Sequence, residues 1–199
     1  MNGAPALQSR VQHLDDARYH GGTREHPVRG IVWHCTAGDT VNGARSWLDR
    51  LDRSPEGKPV PIPGAKRASY HYLIGKDGAI VRTVHPEMVA YHAGLSAWPG
   101  LSLPGVNTVN PTTIGIAFAN DDGSDENPAD DPLTAAQLES GLWLGAVLMA
   151  QYGIVADLNR GHREVSPHRK VDPLPRILDM DHWRALLASP VWPAQLAAA

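Results

Sequence analysis

The stretch GHREVSPHRKVDP, residues 161–173, sets two histidines, a lysine and an aspartate into one short segment. Imidazole nitrogen and carboxylate oxygen are both zinc donors, and a catalytic zinc site needs three such protein ligands and one open position. The third candidate lies far away in sequence. His34 stands near the end of VRGIVWHC, residues 28–35, an apolar, β-branched run that reads as a buried strand. A histidine from an early strand, with His162 and Asp172 from a late loop, makes a three-ligand set. Lys170 and Asp172 are two apart and share a face of an extended segment, so an ammonium there can stabilise an oxyanion beside a metal. Bland readings compete with each of these. His34 alone is as well explained as a satisfied core histidine, Asp172-Pro173 as a turn, and Lys170 with Arg163 and Arg169 as a solvated basic patch.

These groups must be held by a scaffold. Adjacent strand residues face opposite ways, so His34 toward a cleft puts Cys35 in the core. Thr40 caps an expected helix whose apolar positions are Ala44, Trp47, Leu48 and Leu51. Residues 54–67, rich in proline and glycine, read as a rim loop. Strands SYHYLIG and AIVRTV flank Lys76-Asp77-Gly78, a hairpin turn. MVAYHAG adds a short strand and TTIGIAFA a central one. Thr134 and Gln137 form a capping box opening the main buried helix, which Gly153 stops. IVADL reads as a strand, and Asp181 as the cap of a last helix through Trp183, Leu186 and Leu187. The expected fold class is α/β: a single domain with a central mixed β-sheet flanked by helices and a zinc cleft at one edge of the sheet. Residues 1–27 are expected as an N-terminal arm packed on the domain, 28–188 as the catalytic domain and 189–199 as a tail.

Composition narrows the partners. The chain has 199 residues, 42% hydrophobic and 20% charged, an ordinary balance for one globular domain. A formal charge of -3 gives no cationic field for nucleic acid. One cysteine excludes an intramolecular disulfide framework. No apolar run approaches the ~18 residues of a membrane helix, and the first residues lack a signal-peptide core. The expectation is a monomer, cytoplasmic on synthesis, without nucleic-acid or membrane partners. Ten histidines are many for this length, so some of them should have a chemical role.

Five blocks, IVWHCTAG, SYHYLIGKDGAIVRTV, AYHAGLSAW, TTIGIAFAN and GHREVSPHRKVDPLP, occur in the order of motifs in the zinc-dependent N-acetylmuramoyl-L-alanine amidases. The chain resembles that family from residue 28 to residue 175. The resemblance implies Zn2+ held by His34, His162 and Asp172, with Lys170 as the catalytic lysine. Tyr70 matches an active-site tyrosine of the phage lysozyme and recognition-protein branches. It should line the cleft while His71 points away. Ala117 stands where recycling amidases carry a glutamate proposed as general base, which leaves two routes open: a water acidified by the metal, or Tyr70 acting through water. His92 matches a position facing the substrate groove and is expected to contact a peptide carbonyl. Trp98, in the loop 93–111, is an expected wall for the substrate, and His168 is a rim residue.

The resemblance implies hydrolysis of the amide between N-acetylmuramic acid and L-alanine in peptidoglycan. Tyr70 tilts the expectation to a lytic, phage endolysin-like enzyme that acts on the cell wall after release. The alternatives are a cytosolic muropeptide-recycling amidase acting on anhydro-muropeptides, a non-catalytic peptidoglycan-binding module, and a zinc peptidase cutting within the stem peptide.

Overall fold

The computed structural model describes residues 10–49, 51–53, 59–61, 67–120 and 132–189. A six-stranded mixed sheet forms its centre, built from β1 (Val11–His13), β3 (Gly30–Cys35), β6 (Tyr72–Ile74), β7 (Ile80–Arg82), β9 (Thr113–Phe118) and β10 (Asn159–Gly161) in the order β1-β7-β6-β9-β3-β10. Within this sheet, among the described residues, β6 and β7 pair antiparallel and the other neighbours pair parallel. β6 and β7 are joined by the expected turn, in which Gly78 has φ 81° and its N–H donates to the Gly75 carbonyl at 2.8 Å. A left-handed residue there is what glycine supplies without steric cost. β2 (His20–Thr23) pairs with β8 (Met88–Ala90), and β4 (Leu51–Arg53) with β5 (Pro59–Pro61), as separate two-stranded sheets.

The two faces of the sheet have different work. From β3 and β9, Ile31, Trp33, Cys35, Ile114, Ile116 and Phe118 face a core closed by α2 (Ala135–Tyr152) and α4 (Met180–Ala188). There Trp33 stacks on Phe118 at 5.7 Å and meets Trp183 edge-on at 5.1 Å. α2 opens on the Thr134–Gln137 capping box and ends at Gly153 in the left-handed conformation. The opposite face carries Val32, His34, Gly115 and Ala117, with α1 (Val41–Asp49) and the segment 91–112 over it.

Four expectations shift. The arm is woven in: β1 is an edge strand of the main sheet and β2 builds the small one. Neither is long or apolar enough to show a two-residue period. IVADL is a 3-10 turn at Ala156–Leu158, and the strand follows it as Asn159–Gly161. Polar Asn159 belongs to a strand because its side-chain oxygen accepts from Trp33 Nε1 at 3.0 Å. α1 ends at Asp49, so Leu51 lies in β4. Asp179 caps α4, taking the N–H groups of Asp181 and His182. Residues 54–58 and 62–66 of the rim loop, and the tail beyond residue 189, lie outside the described residues.

Candidate metal centre

β10 lies beside β3 in parallel register, with Gly161 opposite Trp33. His34, next along β3, therefore stands across from His162, the first residue of the short helix α3 (His162–Val165). α3 starts where it does because the Glu164 carboxylate accepts the Gly161 N–H at 2.7 Å and is itself held by Arg184 at 3.1 Å. The chain then loops back. The Ser166 carbonyl takes the N–H groups of Arg169 and Lys170, and the Arg163 N–H donates to the Asp172 carbonyl at 2.9 Å. That backbone contact brings Asp172 beside His162.

His34, His162 and Asp172 offer ligand atoms that all lie within 4.8 Å of one another. Asp172 Oδ2 is 3.3 Å from His34 Nδ1, and Asp172 Oδ1 is 3.2 Å from His162 Nδ1. All three side chains are buried, at 0%, 2% and 5% exposure. His34 Nδ1 has no hydrogen-bond partner of acceptable geometry among the described residues. A buried nitrogen orphaned beside a carboxylate needs an explanation, and a cation between the two supplies one. Two nitrogens and one oxygen fit zinc with a fourth position open.

Charge states agree with that fit. Burial, then the neighbouring His162, push the His34 pKa down to about 4, against a partial upward pull from Asp172. Burial alone would raise the Asp172 pKa, but the imidazoles of His162 and His34 outweigh it and hold the carboxyl well below its usual range. At neutral pH His34 is neutral and Asp172 ionised, the forms that bind a cation.

Around the cluster, His162 Nε2 donates to the Ala93 carbonyl at 3.0 Å, which leaves Nδ1 turned to Asp172. The Tyr70 ring lies 4.9 Å from that of His34. Lys170 is half-buried, and its charge depresses His34 further. His168 is exposed. Ala117 is the registered neighbour of His34 on β9, so no acid stands there. His71 turns from the cluster: its Nδ1 accepts the Gly115 N–H at 2.9 Å and its Nε2 faces the Met88 carbonyl at 3.1 Å.

Two side chains expected at the substrate are largely buried. Trp98 is 6% exposed and packs with Val32, Leu101, Val109 and Val165, its indole over Gly30. His92 is likewise 6% exposed, with its Nδ1 3.1 Å from His34 Nε2. The supports that sequence reasoning missed are the Ala93 carbonyl, Arg169, which donates to that same carbonyl at 2.8 Å, and Glu164. A carbonyl has no residue-type signature, and Arg169 reads as one more basic residue in a basic stretch. A groove of about 610 Å³ is lined by Thr23, Tyr91, Gly94, Asn107 and Asn110, among others. It holds none of the three ligand candidates, but Gly94 follows the carbonyl that fixes His162.

Residues 24–175 match the N-acetylmuramoyl-L-alanine amidase family. The chain is 35% identical over 146 residues to the 1,6-anhydro-N-acetylmuramyl-L-alanine amidase AmpD of Salmonella typhimurium, covering 71% of each chain. It is 29% identical over 183 residues to the N-acetylmuramoyl-L-alanine amidase AmiD of Escherichia coli, covering 87% of this chain and 58% of that one. Among solved structures, selenomethionine AmpD superposes with a TM-score of 0.66 at 24% identity, covering 89% of this chain and 94% of that one. An endolysin amidase from Clostridium intestinale gives 0.59 at 18% identity, covering 91% and 97%; both are likenesses of fold.

Proposed function

The chain belongs to the N-acetylmuramoyl-L-alanine amidase family, and from that premise we propose that it hydrolyses the amide between N-acetylmuramic acid and L-alanine in soluble 1,6-anhydro-muropeptides, with zinc held by His34, His162 and Asp172. The observation that carries the metal part is the buried His34–His162–Asp172 cluster with its orphaned His34 Nδ1. Zinc bound in such a site supplies Lewis acidity, polarising a carbonyl and making water a nucleophile near neutral pH.

The protein's own groups do the rest. Lys170 reaches the centre on the segment that ends at Asp172, and its ammonium offsets charge developing on the amide oxygen. Tyr70, against His34, offers its hydroxyl to the same oxygen. Both interactions are stronger in the tetrahedral transition state than with the planar amide, so they act on turnover. The groove along Tyr91, Gly94 and Asn110 seats the stem peptide.

The soluble substrate replaces the expected endolysin-like one because the AmpD proteins of Salmonella typhimurium, Enterobacter cloacae and Escherichia coli, each named a 1,6-anhydro-N-acetylmuramyl-L-alanine amidase, align with the chain over 71%, 72% and 73% of their length. Lytic action on intact peptidoglycan is the second reading, favoured by Tyr70 and by Ala117 in place of an acid. Purified protein, offered a soluble anhydro-muropeptide and insoluble peptidoglycan in parallel with and without a chelator, tests both. Release of the free peptide from the soluble substrate, abolished by chelation, is the expected result. Faster turbidity loss of intact walls overturns the substrate assignment, full activity without metal overturns the centre, and cleavage within the peptide overturns the bond.

A further inference from the structure

We propose that His92 is a positioning residue of the metal centre: it selects the tautomer of His34 and thereby presents a bare Nδ1 to the cation. The proposal rests on the metal reading above, and its logic comes from a hydrogen-bond chain read outward from a main-chain acceptor.

The chain starts at the Val109 carbonyl, which can only accept. Thr113 Oγ1 lies 2.8 Å from it, so the hydroxyl proton points at Val109 and the hydroxyl lone pairs are left for other donors. His92 Nε2 is 3.2 Å from that hydroxyl oxygen and must be the donor. A neutral imidazole carries one N–H, so His92 Nδ1 is an acceptor. His34 Nε2, 3.1 Å away, donates to it. His34 has then used its single proton, and its Nδ1, facing Asp172 at 3.3 Å, is unprotonated. Each assignment forces the next, and the last produces a ligand atom. Outer groups that accept the second ring N–H of a metal-bound histidine fix its orientation and raise its basicity.

The local backbone is shaped for this contact. A Cβ at Gly115 would lie 2.4 Å from His92 Cγ, so only glycine lets the ring rest on β9. The Ala93 N–H donates to Asn110 Oδ1 at 2.8 Å, and the Ala93 carbonyl takes the His162 Nε2 proton. Consecutive residues thus orient both imidazoles of the centre, His92 through its side chain and Ala93 through its carbonyl. Buried at 6% exposure with both ring nitrogens engaged, His92 has nothing left for a substrate carbonyl.

Nitrogen NMR of imidazoles in the zinc-free protein, with zinc affinity from chelator competition, tests the proposal. His34 is expected as the Nε2–H tautomer in the parent. His92→Asn, whose amide oxygen keeps an acceptor toward His34, should retain that tautomer and near-parent affinity. His92→Phe should mix the tautomers and weaken zinc binding by about 10- to 100-fold. Thr113→Val, which preserves shape and removes the hydroxyl, should weaken binding in the same direction, and it decides the matter if His92→Phe does not fold. A His34 protonated at Nδ1 in the parent, or folded His92→Phe and Thr113→Val proteins that bind zinc like the parent, overturns the proposal. A parent that takes up no zinc overturns the metal reading instead, and the tautomer measurement still decides the role of His92.

Discussion

Asp172 Oδ2 lies 3.3 Å from His34 Nδ1, although the two residues come from opposite ends of the chain. The Asp172 main chain is tied to Arg163 at 2.9 Å, so the carboxylate is delivered to the cluster by backbone rather than by a flexible side chain alone. Asp172→Ala should therefore lose bound zinc and amidase activity together. It should also lose the part of its stability that metal binding contributes, because ligand binding to the folded state is folding free energy. His168, exposed and only four residues away in sequence, should behave in the opposite way, with His168→Ala keeping its metal. Metal stoichiometry by atomic absorption separates the two. Zinc retained by Asp172→Ala would remove the carboxylate from the ligand set.

Lys170 differs from the ligands in kind. Its charge reaches His34, but an ammonium has no lone pair to give a metal, so its loss should spare the metal. Lys170→Ala is expected to lower kcat by about 10²- to 10³-fold, the range for removing one preorganised oxyanion contact, at unchanged zinc content. Tyr70→Phe should act in the same direction and less strongly. Steady-state kinetics on a soluble muropeptide, with metal content measured on the same samples, checks this. A rise in KM with kcat unchanged would assign Lys170 to ground-state binding.

His71 gives the zinc-free protein a pH signature. Burial, then the adjacent Arg24 guanidinium, lower its pKa from 6.5 to about 3. Between those values the unfolded chain takes up a proton that the folded chain refuses, so this stability is complete above about pH 6.5 and is lost as pH falls. The slope is about 1.4 kcal/mol per pH unit for such a histidine. His34, lowered to about 4, adds in the same direction. Denaturant unfolding of the metal-free protein at pH 7, 6 and 5 should show the decline. His71→Gln should be less stable at pH 7, having lost the Gly115 contact, and shallower in its pH dependence. Equal slopes for parent and variant would take His71 out of the account.

What was legible in the sequence was chemistry tied to residue type. His34, His162 and Asp172 are of metal-donor types, one near the end of a readable strand and two in a late loop, and the structure brings them together. The Thr134 box, the Gly78 turn and the Gly153 stop are visible because capping and left-handed backbone need particular residues. Less visible was anything that depends on where a residue lands. β10 is Asn159–Gly161, polar because an asparagine there satisfies the Trp33 indole across strands. The inward turn of His92 follows from the missing Cβ of Gly115, a relation between residues on different elements. The packing of the Trp98 indole over Gly30 was likewise unreadable, because it depends on a missing Cβ on another element.

Glu164 offers a test of how far the scaffold can be weakened before the centre fails. Its carboxylate, 23% exposed, takes the Gly161 N–H at 2.7 Å and both oxygens meet Arg184 at 3.1 Å. Glu164→Ala strips the cap from the helix that begins with His162 and leaves the half-buried Arg184 with its Asn159 carbonyl and Asp181 contacts. Loss of a cap and of a partly screened ion pair should cost about 1–3 kcal/mol, read as a lower denaturation midpoint at an unchanged m-value. His162 keeps its second anchor, the Ala93 carbonyl, so full zinc stoichiometry is expected with a weaker apparent affinity. Unchanged stability with zinc lost would mean that Glu164 acts on the metal directly and not through the start of the helix.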